Sequence, residues 1–210
     1  MAAAGSARER YRAHVIEEIK QHAWEQIATA GVSALSLNAI AKRVGMSGPG
    51  LYRYFASRDE LITDLIRDAY RSLADAVRSA FDAGADVAGL AHVVRDWALA
   101  DPQRYFLIYG TPVPGYHAPE DTTKISHQIM VVLVEAFSAL PSSASPFADH
   151  LEAHREWVDD DSVSSATLHR CLSFQTRLHG IISLELAGHF TGMGFDPARL
   201  FADEIQTLIR

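Results

Sequence analysis

The chain has 210 residues, of which 48% are apolar and 21% charged, and a formal net charge of −7. That composition excludes a largely disordered chain, and no uncharged apolar run reaches the roughly 18 residues of a membrane-spanning helix. The single cysteine, Cys171, excludes an internal disulfide framework and any multi-cysteine metal centre, so a reducing, cytoplasmic setting is expected.

Met1 to Arg12 carries charge but no apolar core, so no secretory signal is expected there. Arg8, Arg10 and Arg12 read either as a phosphate-seeking arm or as a frayed, solvated terminus. Ile16, Ile19, Ala23, Ile27 and Ala30 step by three and four, which predicts a helix that ends at Gly31. Ser36 can cap a short helix from Leu37 to Val44, stopped by Gly45, and Ser47 a third one through Phe55. Ser57 and Glu60 form a capping-box pattern that opens a long amphipathic helix past Ile62, Leu65, Leu73 and Val77 to Phe81.

After Gly84, Asp86 caps a helix containing Leu90, Val94 and Trp97. Asp101-Pro102 starts a short aromatic helix to Tyr109. Gly110 to Gly115 breaks the chain, and Pro119 to Leu140 is helical again. A Ser/Pro linker and a mixed polar stretch run to Asp161. Val163 to Phe190 reads as a long apolar-rich helix, and Asp196-Pro197 opens the last one. With no period-2 strand, the expectation is an all-α fold of about nine helices.

Residues 1–58 hold eight Lys/Arg against four acids, whereas residues 59–210 hold 11 basic and 22 acidic groups. A basic segment on an acidic body suits contact with a polyanion. Within the basic segment, Leu35 to Leu61 places two short helices around a glycine turn, a helix-turn-helix. Leu51 and Phe55 anchor the second helix. Its other faces carry Gly48, Pro49, Gly50, Tyr52, Arg53 and Tyr54, where a bare backbone, phenol hydroxyls and an arginine fork can meet phosphates or base edges. The helix starts behind Ser36 and Ser47 present free N–H groups to phosphate. The alternative is a compact three-helix unit for protein contacts, with Tyr52 and Tyr54 partly buried.

The ordered set Gly31, Ser36, Ile40-Ala41, Gly45, Leu51-Tyr52-Arg53-Tyr54-Phe55 and Arg58-Asp59-Glu60-Leu61 resembles the DNA-binding domain of TetR-type (tetracycline-repressor-like) transcriptional regulators. The resemblance implies that Ser36 and Ser47 bond phosphates and that Asn38, Gly48, Pro49, Gly50 and Arg53 face the major groove. It further implies that Tyr52 and Tyr54 clamp the backbone and that Arg58 contacts it from the next helix. Gly48-Pro49-Gly50 departs from the usual pattern, leaving few side chains at the start of the reading helix. Further along, Trp97, Pro102, Tyr105 and Ile108-Tyr109-Gly110 resemble a ligand-domain subgroup carrying a Trp-His-Gly signature. The second half of that signature reads Leu178-His179-Gly180-Ile181, with Leu178 where the subgroup has Trp.

In the acidic body, Trp97, Tyr105, Phe106, Tyr109, Tyr116, His117, Phe174 and His179 are candidates to line a pocket for an apolar or aromatic ligand. Arg177 and His179 are polar groups on an otherwise apolar helix; each aromatic also has a plain reading as core. His150 and His154 stand one turn apart beside a linker, in a polar run that favours a solvated face over a metal site. No catalytic residue, metal or cofactor is expected, and an all-α enzyme with a fused helix-turn-helix is the alternative. Residues 1–58 are expected to bind double-stranded DNA. Residues 59–210 are expected to hold a small-molecule effector of unknown identity and to form a homodimer through 163–190 and 197–209. The resulting expectation is a repressor on a pseudo-palindromic operator.

Overall fold

The structure is a computed structural model and describes residues 6–141, 145–158 and 160–209. Its regular elements there are all helical: α1 (Ala7–Ala30), a 3-10 turn (Val32–Ala34), α2 (Leu37–Arg43), α3 (Gly48–Leu51), α4 (Arg58–Asp82), α5 (Val87–Ala100), α6 (Pro102–Tyr109), α7 (Glu120–Ser138), α8 (Pro146–Glu152), α9 (Ser165–Leu186) and α10 (Pro197–Ile209). No helix among the described residues is long and apolar enough to cross a membrane.

The chain divides into two compact units. One comprises residues 1–69 with 103–122, and the other residues 70–102 with 123–210. In the first, α1 buries Val15, Ile19, Ala23 and Ile27 on one stripe, and α2 buries Leu37, Ile40 and Ala41. Leu51, Phe55, Leu61, Ile62, Leu65 and Ile66 complete that core. In the second, α5, α9 and α10 pack on one another. There α9 buries Leu168, Cys171, Phe174, Leu178 and Ile182, a three-and-four rhythm that yields one buried stripe.

The main departures from the sequence expectation lie at α1, α3, α8 and α9, while α2 and α7 differ from it by one or two residues at their ends. Helix α1 begins at Ala7 in a capping box, where the Ser6 hydroxyl accepts the Glu9 N–H and the Glu9 carboxylate accepts the Ser6 N–H. Helix α3 ends at Leu51 rather than Phe55. Glycines at 48 and 50 of a four-residue segment give poor helix propensity, and the chain tightens into i→i+3 bonds, Arg53 N–H to Gly50 O and Tyr54 N–H to Leu51 O. The mixed polar stretch contains α8, capped by Ser145 with Pro146 at its start. Helix α9 stops at Leu186, and Gly188 beyond it adopts a φ of 78°.

Candidate nucleic-acid interface

The helix-turn-helix is built from the inside out. Leu51 is fully buried and Phe55 is 4% exposed, so the short α3 segment is pinned from below. Gly45 adopts a φ of 68°, which lets the chain reverse between α2 and α3 without strain on a Cβ. The Ser36 hydroxyl accepts the Ala39 N–H at 3.3 Å, and the Ser47 hydroxyl accepts the Gly50 N–H at 3.2 Å. Each hydroxyl oxygen therefore caps its helix while its own proton stays available to donate. Gln26 of α1 accepts the Ser36 N–H at 2.9 Å and braces the start of α2.

Outside those anchors, Asn38, Ser47, Pro49, Tyr52 and Arg53 are exposed, Tyr52 at 47%. Gly48, Gly50 and Tyr54 are half-buried. A side chain begun at Gly48 would meet the Asn38 Oδ1 at 3.5 Å, an ordinary contact, whereas one begun at Gly50 would lie 3.1 Å from the Ser47 Oγ. Asn38 and Gly48 thus stand side by side. These residues make a polar, donor-rich surface around a segment with little side-chain bulk.

The cations of this unit sort into engaged and unengaged groups. Lys20 lies 2.7 Å from Asp64 and 2.6 Å from Asp68 of α4. Burial works against its charge, but the hydrogen bonds and attraction of the two carboxylates prevail, and its pKa is raised. Arg43 pairs with Glu25 at 3.1 Å, and the same carboxylate oxygen meets His22 at 3.0 Å. Arg58 donates to the Val32 carbonyl at 2.8 Å, so the residue expected to reach DNA also holds the 3-10 turn against α4. Arg10 is engaged too. Among the described residues, Arg8, Arg12, Lys42 and Arg53 have no ion-pair partner. Arg12 lies over the Tyr54 ring, 5.1 Å from its centroid. No local sequence pattern joins those two residues, because α2 and the turns around it separate them in the chain.

The candidate ligand residues fall in both units. In the first, Tyr105 is fully buried with its ring 5.7 Å from Phe106 and 5.3 Å from Tyr109. The Tyr116 hydroxyl meets the buried Thr63 hydroxyl at 2.9 Å, and His117 is exposed. In the second, the Trp97 indole donates to Ser72 at 3.1 Å, and Phe174 is fully buried edge-on to Phe137 at 5.4 Å. Arg177 is exposed and faces Glu204 at 3.8 Å. Burial lowers the His179 pKa to about 4, so its ring is neutral at physiological pH. Clefts of about 370 Å³ along α1 and α2 and of about 200 and 220 Å³ along α7 have none of these residues in their walls.

His150 and His154 are exposed with stacked rings 4.2 Å apart, and the His154 Nδ1 bonds the His150 carbonyl at 2.9 Å. No group of three or more metal-capable side chains gathers among the described residues.

Residues 19–65 match the family described as bacterial regulatory proteins, tetR family, and residues 87–208 match the tetracyclin repressor-like C-terminal domain. The HTH-type transcriptional regulator Rv1816 of Mycobacterium tuberculosis is 34% identical over 97% of this chain and 92% of its own length. The regulator Mb1846 of Mycobacterium bovis matches to the same extent. The crystal structure of SCO4313 superimposes with a TM-score of 0.92 at 64% identity, covering 97% of this chain and 99% of that one. The crystal structure of AibR with isovaleryl coenzyme A and operator DNA has the same fold, with a TM-score of 0.58 at 16% identity over 92% of this chain and 97% of that one.

Proposed function

Because the chain belongs to the tetR family of bacterial regulatory proteins, we propose that it is a ligand-responsive repressor that binds a pseudo-palindromic operator as a homodimer. Residues 1–58 are the DNA-binding part of this reading, and residues 59–210 the effector-binding and dimerising part. The observation that carries it is the exposure of Tyr52 and Arg53 directly above the buried Leu51 and Phe55. Ser36, Ser47, Tyr52, Tyr54 and Arg58 bond backbone phosphates. Asn38, Gly48, Pro49, Gly50 and Arg53 meet the major groove, with Arg53 and Asn38 supplying the base-edge contacts.

One short helix-turn-helix covers too few base pairs to be selective, and a symmetric pair reading half-sites about 34 Å apart solves that problem. The outer face of α9 supports such a pair. Thr176, Gly180 and Leu184 are exposed there, and Gly180 has open space around it. Small residues along an exposed helix face allow a twin helix to approach closely, and α10 extends the same surface. Leu178-His179-Gly180 supports placing the body in the Trp-His-Gly-signature subgroup. Its effector is a small apolar or aromatic molecule met by some of Trp97, Tyr105, Phe106, Tyr109, Tyr116, His117, Phe174, Arg177 and His179. Membership in a family of transcriptional regulators supports a non-enzymatic role.

The test is fluorescence anisotropy with duplexes cut from the DNA flanking the gene, together with light scattering of the free protein. The expected result is a dimer in solution and one duplex bound at least 10³-fold more tightly than random DNA, the usual specific-to-nonspecific margin, in roughly that range. A monomer, or equal binding to every duplex, overturns the reading.

A further inference from the structure

Among the described residues the Arg12 guanidinium has no carboxylate beside it, yet it is not adrift. The Ser6–Glu9 capping box holds the first turn of α1, so Arg12 projects from formed helix rather than from a loose tail. Its carbon lies 5.1 Å from the centroid of the Tyr54 ring. A guanidinium held over an aromatic face by cation–π attraction keeps N–H donors for other partners. The Tyr54 ring is half-buried, which limits its motion from below.

We infer that Arg12 and Tyr54 act as one unit on a single DNA backbone phosphate, Arg12 positioning the Tyr54 ring and adding its own charge-assisted bonds to the phosphate oxygens. This rests on the DNA-binding reading above and extends the interface to α1, beyond the helix-turn-helix. The chemistry is specific to a phosphodiester: a planar fork presents two parallel N–H donors, and a phenol adds a third bond at an angle. Each copy of the chain brings one such unit, so a dimer neutralises two phosphates through it. The residue at 12 then contributes affinity without sequence preference, because phosphate contacts carry no base information.

The experiment measures binding of the full-length protein to a mixed-sequence duplex of about 30 base pairs, three helical turns, across a salt series. The variants are Arg12→Ala, Arg12→Lys and Tyr54→Phe, each checked for an unchanged thermal midpoint. Arg12→Ala is expected to weaken binding about tenfold and to reduce the slope of log K against log salt by about 0.9 per protomer. Arg12→Lys keeps the charge, so the slope returns to the wild-type value while the affinity recovers only in part. Tyr54→Phe combined with Arg12→Ala loses less than the product of the single losses.

Wild-type affinity and slope in Arg12→Ala overturn the inference while leaving DNA binding intact. Weakened binding with an unchanged slope also overturns it, since that is the mark of a purely structural role. Failure of the unaltered protein to bind any duplex overturns the DNA-binding reading itself.

Discussion

Arg95 of α5 and Glu185 of α9 form a bidentate pair, Nε to Oε2 at 3.0 Å and Nη2 to Oε1 at 2.5 Å, with only 13% and 12% of their side chains exposed. The same guanidinium lies over the Phe201 ring of α10, 5.3 Å from its centroid. One side chain therefore ties three helices of the C-terminal unit. Removing one partner of such a pair strands a charge with little access to water. Arg95→Ala is expected to destabilise the protein by about 3 kcal/mol, whereas Arg95→Met with Glu185→Leu loses much less. Urea midpoints for the single and double variants check the difference.

Gly45 gives a second expectation, with a different physical basis. A Cβ there would meet nothing within 4 Å, so space is not the constraint; the φ of 68° is. Gly45→Ala is expected to cost about 1 kcal/mol from the left-handed backbone alone, and Gly45→Asn less. Thermal melting of both variants measures it, and DNA binding at a temperature where both are folded should be close to wild type.

Leu51 and Tyr52 are adjacent but answer to different forces. Leu51→Ala opens a hole in a fully closed core and is expected to cost about 3 kcal/mol of stability. Tyr52→Ala removes a side chain that is 47% exposed and should leave the thermal midpoint nearly unchanged. Its effect appears instead in DNA affinity, as a loss of about 1 kcal/mol, the size of one net hydrogen bond. Paired melts and anisotropy titrations separate the two.

That pair also illustrates what the sequence makes legible. The buried anchors Leu51 and Phe55, the cap residues Ser36 and Ser47 and the turn at Gly45 follow from local rules, because caps, turns and apolar spacing act within a few residues. The placement of Arg12 over the Tyr54 ring and the bracing of Ser36 by Gln26 join residues far apart in the chain, and no local rule addresses them. Arg58 shows the intermediate case. Its position at the start of α4 is readable, but its bond to the Val32 carbonyl depends on how the 3-10 turn packs. In the body, aromatic spacing marks Tyr105 and Phe174 equally well as core or as pocket wall. Both are fully buried against other rings, so periodicity alone could not assign them a role.

The acid stability of the C-terminal unit should depend on His179. Its ordinary pKa of 6.5 falls to about 4 on burial, so between those values the unfolded chain holds the extra proton. Stability is then complete above about pH 6.5 and is lost as pH falls toward 4. The loss attributable to this one ring is about 2 kcal/mol by pH 5. His179→Gln should flatten that part of the curve, read from urea midpoints at several pH values.

Cys171 offers a probe of the same unit. Burial pushes its thiol up to about 12, so in the folded protein it is a protonated, closed-off group. Alkylating reagents at mildly alkaline pH are expected to leave it unmodified until the unit opens. Labelling followed by mass spectrometry across a denaturant series should therefore track α9 unfolding, with rapid labelling of the native protein as the contrary result.

The glycines flanking Pro49 are unequal starting points for anyone redesigning the binding preference of this protein. Position 48 has ordinary room beside Asn38, so a library of larger side chains there could acquire new base partners without disturbing the scaffold. Position 50 is tighter, with the neighbouring serine hydroxyl at 3.1 Å that caps the helix, so diversity introduced at that spot must displace the cap and would be filtered by fold as well as by operator.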